Sequence, residues 1–220
     1  MKIFLDTANL EQIKYWNQKG IIDGITTNPT HLSKEGGDIK TLVKEICNEM
    51  HAGDVSIEIT EKEPEKVYTQ AKEIAAIAKN VVVKIPCHAD YYNVIKMLVE
   101  ENIQINITLV FSVIQALLMC KLGVKYISPF VGRLDDIEAD GIELLNQIGF
   151  MVDEYGFVKT EVIAASIRSV KDFHASIMSG VDVATVPIDV LKKSVTHPLT
   201  DKGIEKFDAD WQTLGIKKFP

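Results

Sequence analysis

Ile105-Asn106-Ile107-Thr108-Leu109-Val110 carries apolar side chains on one face and two polar ones, Asn106 and Thr108, on the other. Successive side chains of a β-strand point to opposite faces, so this run reads as a strand whose apolar side meets helices and whose polar side meets an interior. Seven further strand-like runs recur at 2–7, 22–28, 54–60, 81–86, 124–131, 161–167 and 182–188. Between them lie segments such as 64–79 and 88–101 with apolar residues at helical spacing, and Gly53, Gly123 and Gly180 stand where helices should stop. Eight units in the order β then α, joined by short connections, predict a single (β/α)8 TIM barrel of the α/β class. An open doubly wound sheet is the competitor, weakened because no GxGxxG follows the first strand.

The barrel is assigned to residues 1–198, and residues 199–220 to a C-terminal helical extension of the same domain. In that extension Ile204, Phe207, Trp211 and Leu214 recur at spacings of 3, 4 and 3, one stripe of a helix. The stripe either covers the barrel's own outside or embraces a neighbouring subunit.

The chain has 220 residues, 46% of them hydrophobic, enough to bury a sizeable core as one domain. A net charge of -7 argues against nonspecific attraction to nucleic acid or to an anionic membrane surface. Three cysteines without CxxC spacing suggest neither a disulfide framework nor a zinc ribbon and fit a reducing cytoplasm. Five scattered histidines, His31, His51, His88, His174 and His197, lack HxxxH and HExxH spacing, so no metal is expected. Met1-Lys2-Ile3-Phe4-Leu5 meets Asp6 at once, which leaves no signal-peptide core, and no apolar run approaches a membrane span.

Strand alternation places Phe4 with Asp6, Thr26 with Asn28, Ser56 with Glu58, Val82 with Lys84, Asn106 with Thr108, Ser128 with Phe130, and Ser166 with Arg168. Polar groups thus collect inside, toward the C-terminal ends of the strands. Buried polar groups cost stability unless each is hydrogen-bonded, so seven strands sharing this habit read as a site rather than as packing. (β/α)8 enzymes place their chemistry on that face.

Lys84, inside Val81-Val82-Val83-Lys84-Ile85-Pro86, becomes the centre of the pocket. Burial disfavours a charged lysine, and the freed amine can attack a carbonyl to form a Schiff base. Glu58 is the leading acid/base candidate or else the ion-pair partner of Lys84. Asp6 holds a substrate hydroxyl or abstracts its proton during carbon–carbon cleavage, or blandly caps the next helix or neutralises Lys84. Thr108 and Asn106 position water and hydroxyls, or bond to each other across the barrel. Asn28, before Pro29, is equally a turn former. Arg168 beside Ser166 and Arg133 after Gly132 imply a phosphorylated substrate; Arg133 could instead form a surface pair with Asp135 or Asp136.

Phe4-Leu5-Asp6-Thr7-Ala8, Thr26-Thr27-Asn28-Pro29-Thr30, Val82-Val83-Lys84-Ile85-Pro86, Ser128-Pro129-Phe130-Val131-Gly132-Arg133 and Ala165-Ser166-Ile167-Arg168 together give the chain a close, end-to-end resemblance to the small single-domain transaldolases, which share a family with fructose-6-phosphate aldolases. The resemblance implies a barrel with a Schiff-base lysine at Lys84, no cofactor, and transfer of a dihydroxyacetone unit from a ketose phosphate to an aldose phosphate in the non-oxidative pentose phosphate pathway. It implies Asp6 as acid/base for carbon–carbon cleavage and Glu58 acting with a water held by Thr108. Asn28, Asn106 and Ser128 are expected at the dihydroxyacetone part, Arg133, Ser166 and Arg168 at the phosphate, and Thr27 and Phe130 are also expected to bind substrate. It further implies a cytoplasmic homo-oligomer, a decamer of two pentameric rings, with the C-terminal helix reaching a neighbour. The aldolases carry glutamine in place of Glu58 and tyrosine in place of Phe130, so this chain follows the transaldolase pattern. Fructose-6-phosphate aldolase is the alternative within the family, and a non-catalytic phosphosugar-binding barrel the alternative outside it.

Overall fold

The computed structural model describes residues 1–215. Eight parallel strands, β1 (Lys2–Asp6), β2 (Gly24–Thr26), β3 (Asp54–Glu58), β4 (Val81–Pro86), β5 (Ile105–Val110), β6 (Tyr126–Pro129), β7 (Glu161–Ala164) and β8 (Val183–Pro187), close into a barrel in sequence order. The seam is β1 against β8, running in register from Lys2 opposite Val183 to Asp6 opposite Pro187. The helices are α1 (Leu10–Asn17), α2 (Pro29–Glu35), α3 (Ile39–Glu49), α4 (Pro64–Ala75), α5 (Tyr92–Glu100), α6 (Val113–Leu122), α7 (Val131–Asp135), α8 (Gly141–Glu154), α9 (Val170–Met178), α10 (Ile188–Ser194) and α11 (Pro198–Thr213). The expected (β/α)8 TIM barrel with an additional C-terminal helix is therefore the architecture.

Strand alternation divides the apolar residues into two cores. Leu5, Ile25, Val55, Ile57, Val83, Ile85, Ile105, Ile107 and Ile127 face outward into the annulus between sheet and helices, where full burial of each such side chain contributes about 1.5–3 kcal/mol. The barrel axis holds a separate plug of Phe4, Val82, Tyr126, Ile163 and Val183. Phe4 meets Tyr126 edge to face at 5.8 Å, and Gly24 makes room for it, since a Cβ there would lie 2.6 Å from the Phe4 ring. Above this plug, toward the strand C-termini, the buried groups turn polar: Thr26, Ser56, Lys84, Asn106, Thr108, Ser128 and Thr185.

The N-terminal mouth is held by polar contacts. Tyr126 Oη donates to Asp54 Oδ2 at 2.6 Å, an oxygen that also takes Lys125 Nζ at 2.6 Å. Lys2 pairs with Glu161 at 2.8 Å. Burial and the Asp54 carboxylate push the Tyr126 phenol well above its ordinary range, keeping it a neutral donor.

Several local expectations are corrected. Gly123 (φ 78°) and Gly180 (φ 75°) end α6 and α9 in the left-handed region, but Gly53 does not end a helix in this way. It follows α3 by several residues and is required because a Cβ would lie 2.3 Å from the Asp23 carbonyl. The 88–101 segment is split by a 3₁₀ turn over Ala89–Tyr91 before α5 begins. The register of β5 against β6 slips between Ile107 and Val110, with Leu109 at φ 56°, so Leu109 leaves the outward apolar face it was assigned to. β2 ends at Thr26 and β7 at Ala164, so Asn28, Ser166 and Arg168 lie beyond their strands and alternation does not orient them.

α11 begins at Pro198, with the His197 side chain accepting from Leu199 N–H. Ile204, Phe207 and Leu214 are 62%, 71% and 62% exposed while Trp211 is half-buried, so three of the four stripe residues do not cover this barrel's outside. Residues 216–220 of the predicted extension lie outside the described residues. Among the described residues no helix is long and apolar enough to cross a membrane.

Candidate active site

A cavity of about 140 Å³ opens above the polar layer, at the C-terminal ends of the strands. Asp6 of β1, Thr26 of β2, Lys84 of β4, Ser128 of β6 and Thr185 of β8 line it, with Asn28, Phe130, Arg133, Ala165 and Ser166 from the loops above. A larger cavity of about 430 Å³ lies at the opposite end, walled by Lys2, Asp23, Glu49 and Asp54. There Lys2 is paired with Glu161, Asp54 is held by Tyr126 and Lys125, and Asp23 accepts the Ile3 N–H, so the smaller cavity, which gathers the predicted residues, is the candidate site.

Lys84 is 6% exposed. Register places it between Glu58 on β3 and Asn106 on β5. Its Nζ lies 3.2 Å from Glu58 Oε2 and donates to the Thr27 carbonyl at 3.1 Å. An ammonium has three N–H bonds; one goes to the Thr27 carbonyl, Glu58 stands within ion-pair range, and Lys84 also borders the cavity. The ion-pair reading of Glu58 thus holds in the structure, and it is compatible with acid/base chemistry, because a carboxylate at this distance is within reach of a proton on the lysine nitrogen.

The layer around Lys84 is an ordered network. Asn106 Nδ2 donates to Ser56 Oγ at 3.1 Å, and Ser128 Oγ donates to Asn106 Oδ1 at 2.7 Å. Thr108 is 1% exposed, and its Oγ1 finds no hydrogen-bond partner among the described residues. A buried hydroxyl left unpaired costs about 1–3 kcal/mol, so Thr108 is a donor and acceptor held in reserve beside the lysine strand. Its neighbour Leu109 occupies a strained left-handed conformation.

On the other side of the cavity Thr26 Oγ1 donates to Asp6 Oδ1 at 3.0 Å and also bonds Thr185 Oγ1. Asn28 caps α2, its Oδ1 accepting from His31 N–H at 2.9 Å. The turn-forming role and the cavity position therefore belong to the same residue.

The family model described as Transaldolase/Fructose-6-phosphate aldolase matches residues 3–218. The chain belongs to the transaldolase/fructose-6-phosphate aldolase family. It is 48% identical over 214 residues to a probable transaldolase of Lactiplantibacillus plantarum, covering 97% of this chain and 98% of that one. A probable transaldolase of Dehalococcoides mccartyi is 49% identical over 215 residues, covering 97% and 99%. One from Methanococcus maripaludis is 48% identical over 212 residues, covering 96% and 98%.

Within this transaldolase-family barrel the remaining predicted residues are unevenly gathered. Phe130 lies against Phe111 at 5.8 Å, and Arg133 stacks over its ring at 5.1 Å, so Arg133 lines the cavity instead of forming the surface pair considered for it. Ser166 lines the cavity at φ 60°, its carbonyl accepting the Gly132 N–H at 3.1 Å. Arg168 does not line it. Its side chain is 49% exposed and ion-paired with Asp136; this guanidinium holds the Asp136 carboxyl below the usual carboxylate range. Thr27 does not line the cavity: it is fully buried, its hydroxyl donates to the Ser56 carbonyl at 2.9 Å, and its own carbonyl accepts from Lys84. Among the described residues no group of three or more His, Cys, Asp or Glu side chains is arranged to hold a metal ion.

Sequence reasoning passed over Thr185 and His31. The alternation Val183, Thr185, Pro187 carried the signal for Thr185, the polar member of the eighth strand. His31 is legible only once Asn28 is known to start a helix.

Proposed function

We propose that the protein is a transaldolase acting through a Schiff base on Lys84. The observation that carries this reading is a buried lysine with a carboxylate at 3.2 Å, facing a cavity bordered by Asp6, Ser128 and Arg133. Glu58 takes a proton from the Lys84 ammonium, and the amine attacks the C2 carbonyl of a ketose phosphate such as fructose 6-phosphate or sedoheptulose 7-phosphate. Glu58, through a water at the unpaired Thr108 hydroxyl, supplies the proton on which the carbinolamine oxygen leaves as water. Asp6 then takes the C4 hydroxyl proton, the C3–C4 bond breaks, and the aldehyde departs. The three-carbon enamine stays on Lys84, with its hydroxyls on Asn28, Asn106 and Ser128. An acceptor aldehyde, glyceraldehyde 3-phosphate or erythrose 4-phosphate, adds at the same carbon, Asp6 returns the proton, and hydrolysis frees the enzyme. Every step draws on side chains of this chain.

The phosphate is assigned to Arg133 and Ser166 at the cavity rim, with Arg168 joining them by exchanging Asp136 for the ligand. An exposed pair of this kind is held weakly against solvent, so the exchange is easy. Phe130 has no proton to give, and this favours transaldolase over aldolase: the enamine waits for an acceptor. A homo-oligomer in which α11 packs on a neighbour accounts for Phe207 at 71% exposure. Three free cysteines fit a reducing cytoplasm.

The test is acceptor dependence. With fructose 6-phosphate alone, about one equivalent of glyceraldehyde 3-phosphate per active site is expected; added erythrose 4-phosphate should give continuous sedoheptulose 7-phosphate formation. Multiple turnovers to dihydroxyacetone without acceptor would assign the aldolase reaction, and binding of the sugar phosphate without either product would assign the binding barrel.

A further inference from the structure

Asp6 borders two spaces. One is the cavity shared with Lys84. The other is an outer cleft of about 380 Å³ over the ends of β1 and β8, which His31 lines and Lys84 does not. His31 Nε2 stands 3.5 Å from Asp6 Oδ1, the oxygen that also accepts the Thr26 hydroxyl on the inner side. Both protein partners thus meet Oδ1, and Oδ2 has none among the described residues. Lys34 and Lys192 line the same cleft without pairing with Asp6, while Glu35 is taken by Asn9 Nδ2 at 3.2 Å. His31 is the one cation-capable side chain in contact with Asp6 among the described residues. Its backbone is fixed by the Asn28 cap, since the N–H that Asn28 Oδ1 accepts is that of His31. One short turn therefore sets both an expected substrate contact and the outer neighbour of the carboxylate.

We propose that His31 is a positioning residue for carbon–carbon cleavage: its Nε2, 3.5 Å from Oδ1 of Asp6, joins the Thr26 hydroxyl in a clamp on that one oxygen, which leaves Oδ2 to take the substrate hydroxyl proton. A carboxylate held by one oxygen presents the other in a fixed direction, and losing such an outer partner typically costs ten- to a hundredfold in the function it supports. Imine formation runs through Glu58, on β3 next to Lys84, and does not need the clamp. The inference rests on the transaldolase reading above.

The experiment compares wild type, His31→Leu, which removes the N–H, and His31→Gln, whose amide N–H reaches the same place. Each is measured for kcat and KM with fructose 6-phosphate and erythrose 4-phosphate, and for borohydride trapping of dihydroxyacetone, which can be supplied directly and forms the imine without cleavage. Expected for His31→Leu is a kcat about tenfold or more below wild type, KM within about twofold, and unchanged trapping; His31→Gln should recover to within about threefold. A His31→Leu kcat within twofold of wild type overturns the clamp, and so does loss of trapping together with turnover, which would mark His31 as a support of the whole site. Should His31→Leu fail to fold, His31→Gln decides, and a kcat below a tenth of wild type overturns N–H donation. Failure of wild type itself to trap dihydroxyacetone would instead overturn the Schiff-base reading on which the proposal rests.

Discussion

Gly132→Ala and Gly149→Ala are the same chemical change with opposite expected signs. Gly132 is the second residue of α7, and a Cβ there would lie 2.4 Å from the Ser166 carbonyl oxygen and 3.0 Å from Arg168 Cδ, where ordinary contact begins at 3.4 Å. The blocking atom is backbone, and Ser166 already sits at φ 60°, so the strand-to-loop turn must move by roughly 1 Å. Overpacking of this kind costs about 1–3 kcal/mol, offset by about 0.5–1 kcal/mol gained on replacing a helical glycine. A net loss centred on about 1 kcal/mol, and at most about 2.5, corresponds to roughly 2–4 °C and at most about 10 °C in Tm for a domain of this size. At Gly149, inside α8, nothing lies within 4 Å of the added methyl, and only the gain remains, about 1–4 °C upward. Calorimetry on both variants and wild type reads the two signs directly. Because Ser166 and Arg168 flank Gly132, Gly132→Ala should also raise KM for fructose 6-phosphate several-fold while leaving dihydroxyacetone trapping on Lys84 intact. A Gly132→Ala protein as stable as wild type, with unchanged KM, would refute the close-approach reasoning.

Two further outcomes are expected. Phe130→Tyr combined with Glu58→Gln should increase acceptor-independent release of dihydroxyacetone, assayed by reduction of the released ketone; unchanged release would remove Phe130 and Glu58 as the basis of acceptor dependence. Burial pushes the thiols of Cys47, Cys87 and Cys120 up to about 11, so the fold favours the protonated form. That contribution is fully present below the ordinary thiol range and is lost as pH climbs from about 8.5 toward 11. Urea midpoints should fall between pH 8 and pH 10.5 by less in Cys47→Ala than in wild type, and at pH 7.5 the native thiols should label far more slowly than the unfolded ones.

The fold was legible because the polar–apolar alternation of Asn106 and Thr108 against Ile105 and Ile107 repeats on strand after strand, and a one-residue register slip would turn every apolar group inward. Lys84 and Glu58 were legible for the same reason: both lie within regular strand, so two-residue periodicity places them on one face. The limits lie where the backbone departs from that period. Leu109 is apolar in an apolar context, and nothing in its identity marks the left-handed turn that re-aims the chain after Thr108. Ser166 and Arg168 follow the end of β7, and a non-glycine residue at positive φ carries no sequence flag. The partners of the two arginines are not legible, because long side chains on adjacent loops choose partners by local space: Arg133 stacks on Phe130 and Arg168 takes Asp136. Gly53 resembled a helix stop by position, whereas its requirement comes from Asp23, on a different βα unit and far from it in sequence.

The central claim is that Lys84 forms a covalent bond to the donor sugar, and intact mass after incubation with fructose 6-phosphate and borohydride tests it most directly, because reduction fixes an imine as a stable amine. The account predicts a dihydroxyacetone-sized increment on wild type and none on Lys84→Met, with proteolytic mapping of the increment to the Val81–Pro86 strand. No increment on folded wild type that binds the sugar, or an equal increment on Lys84→Met, would contradict it.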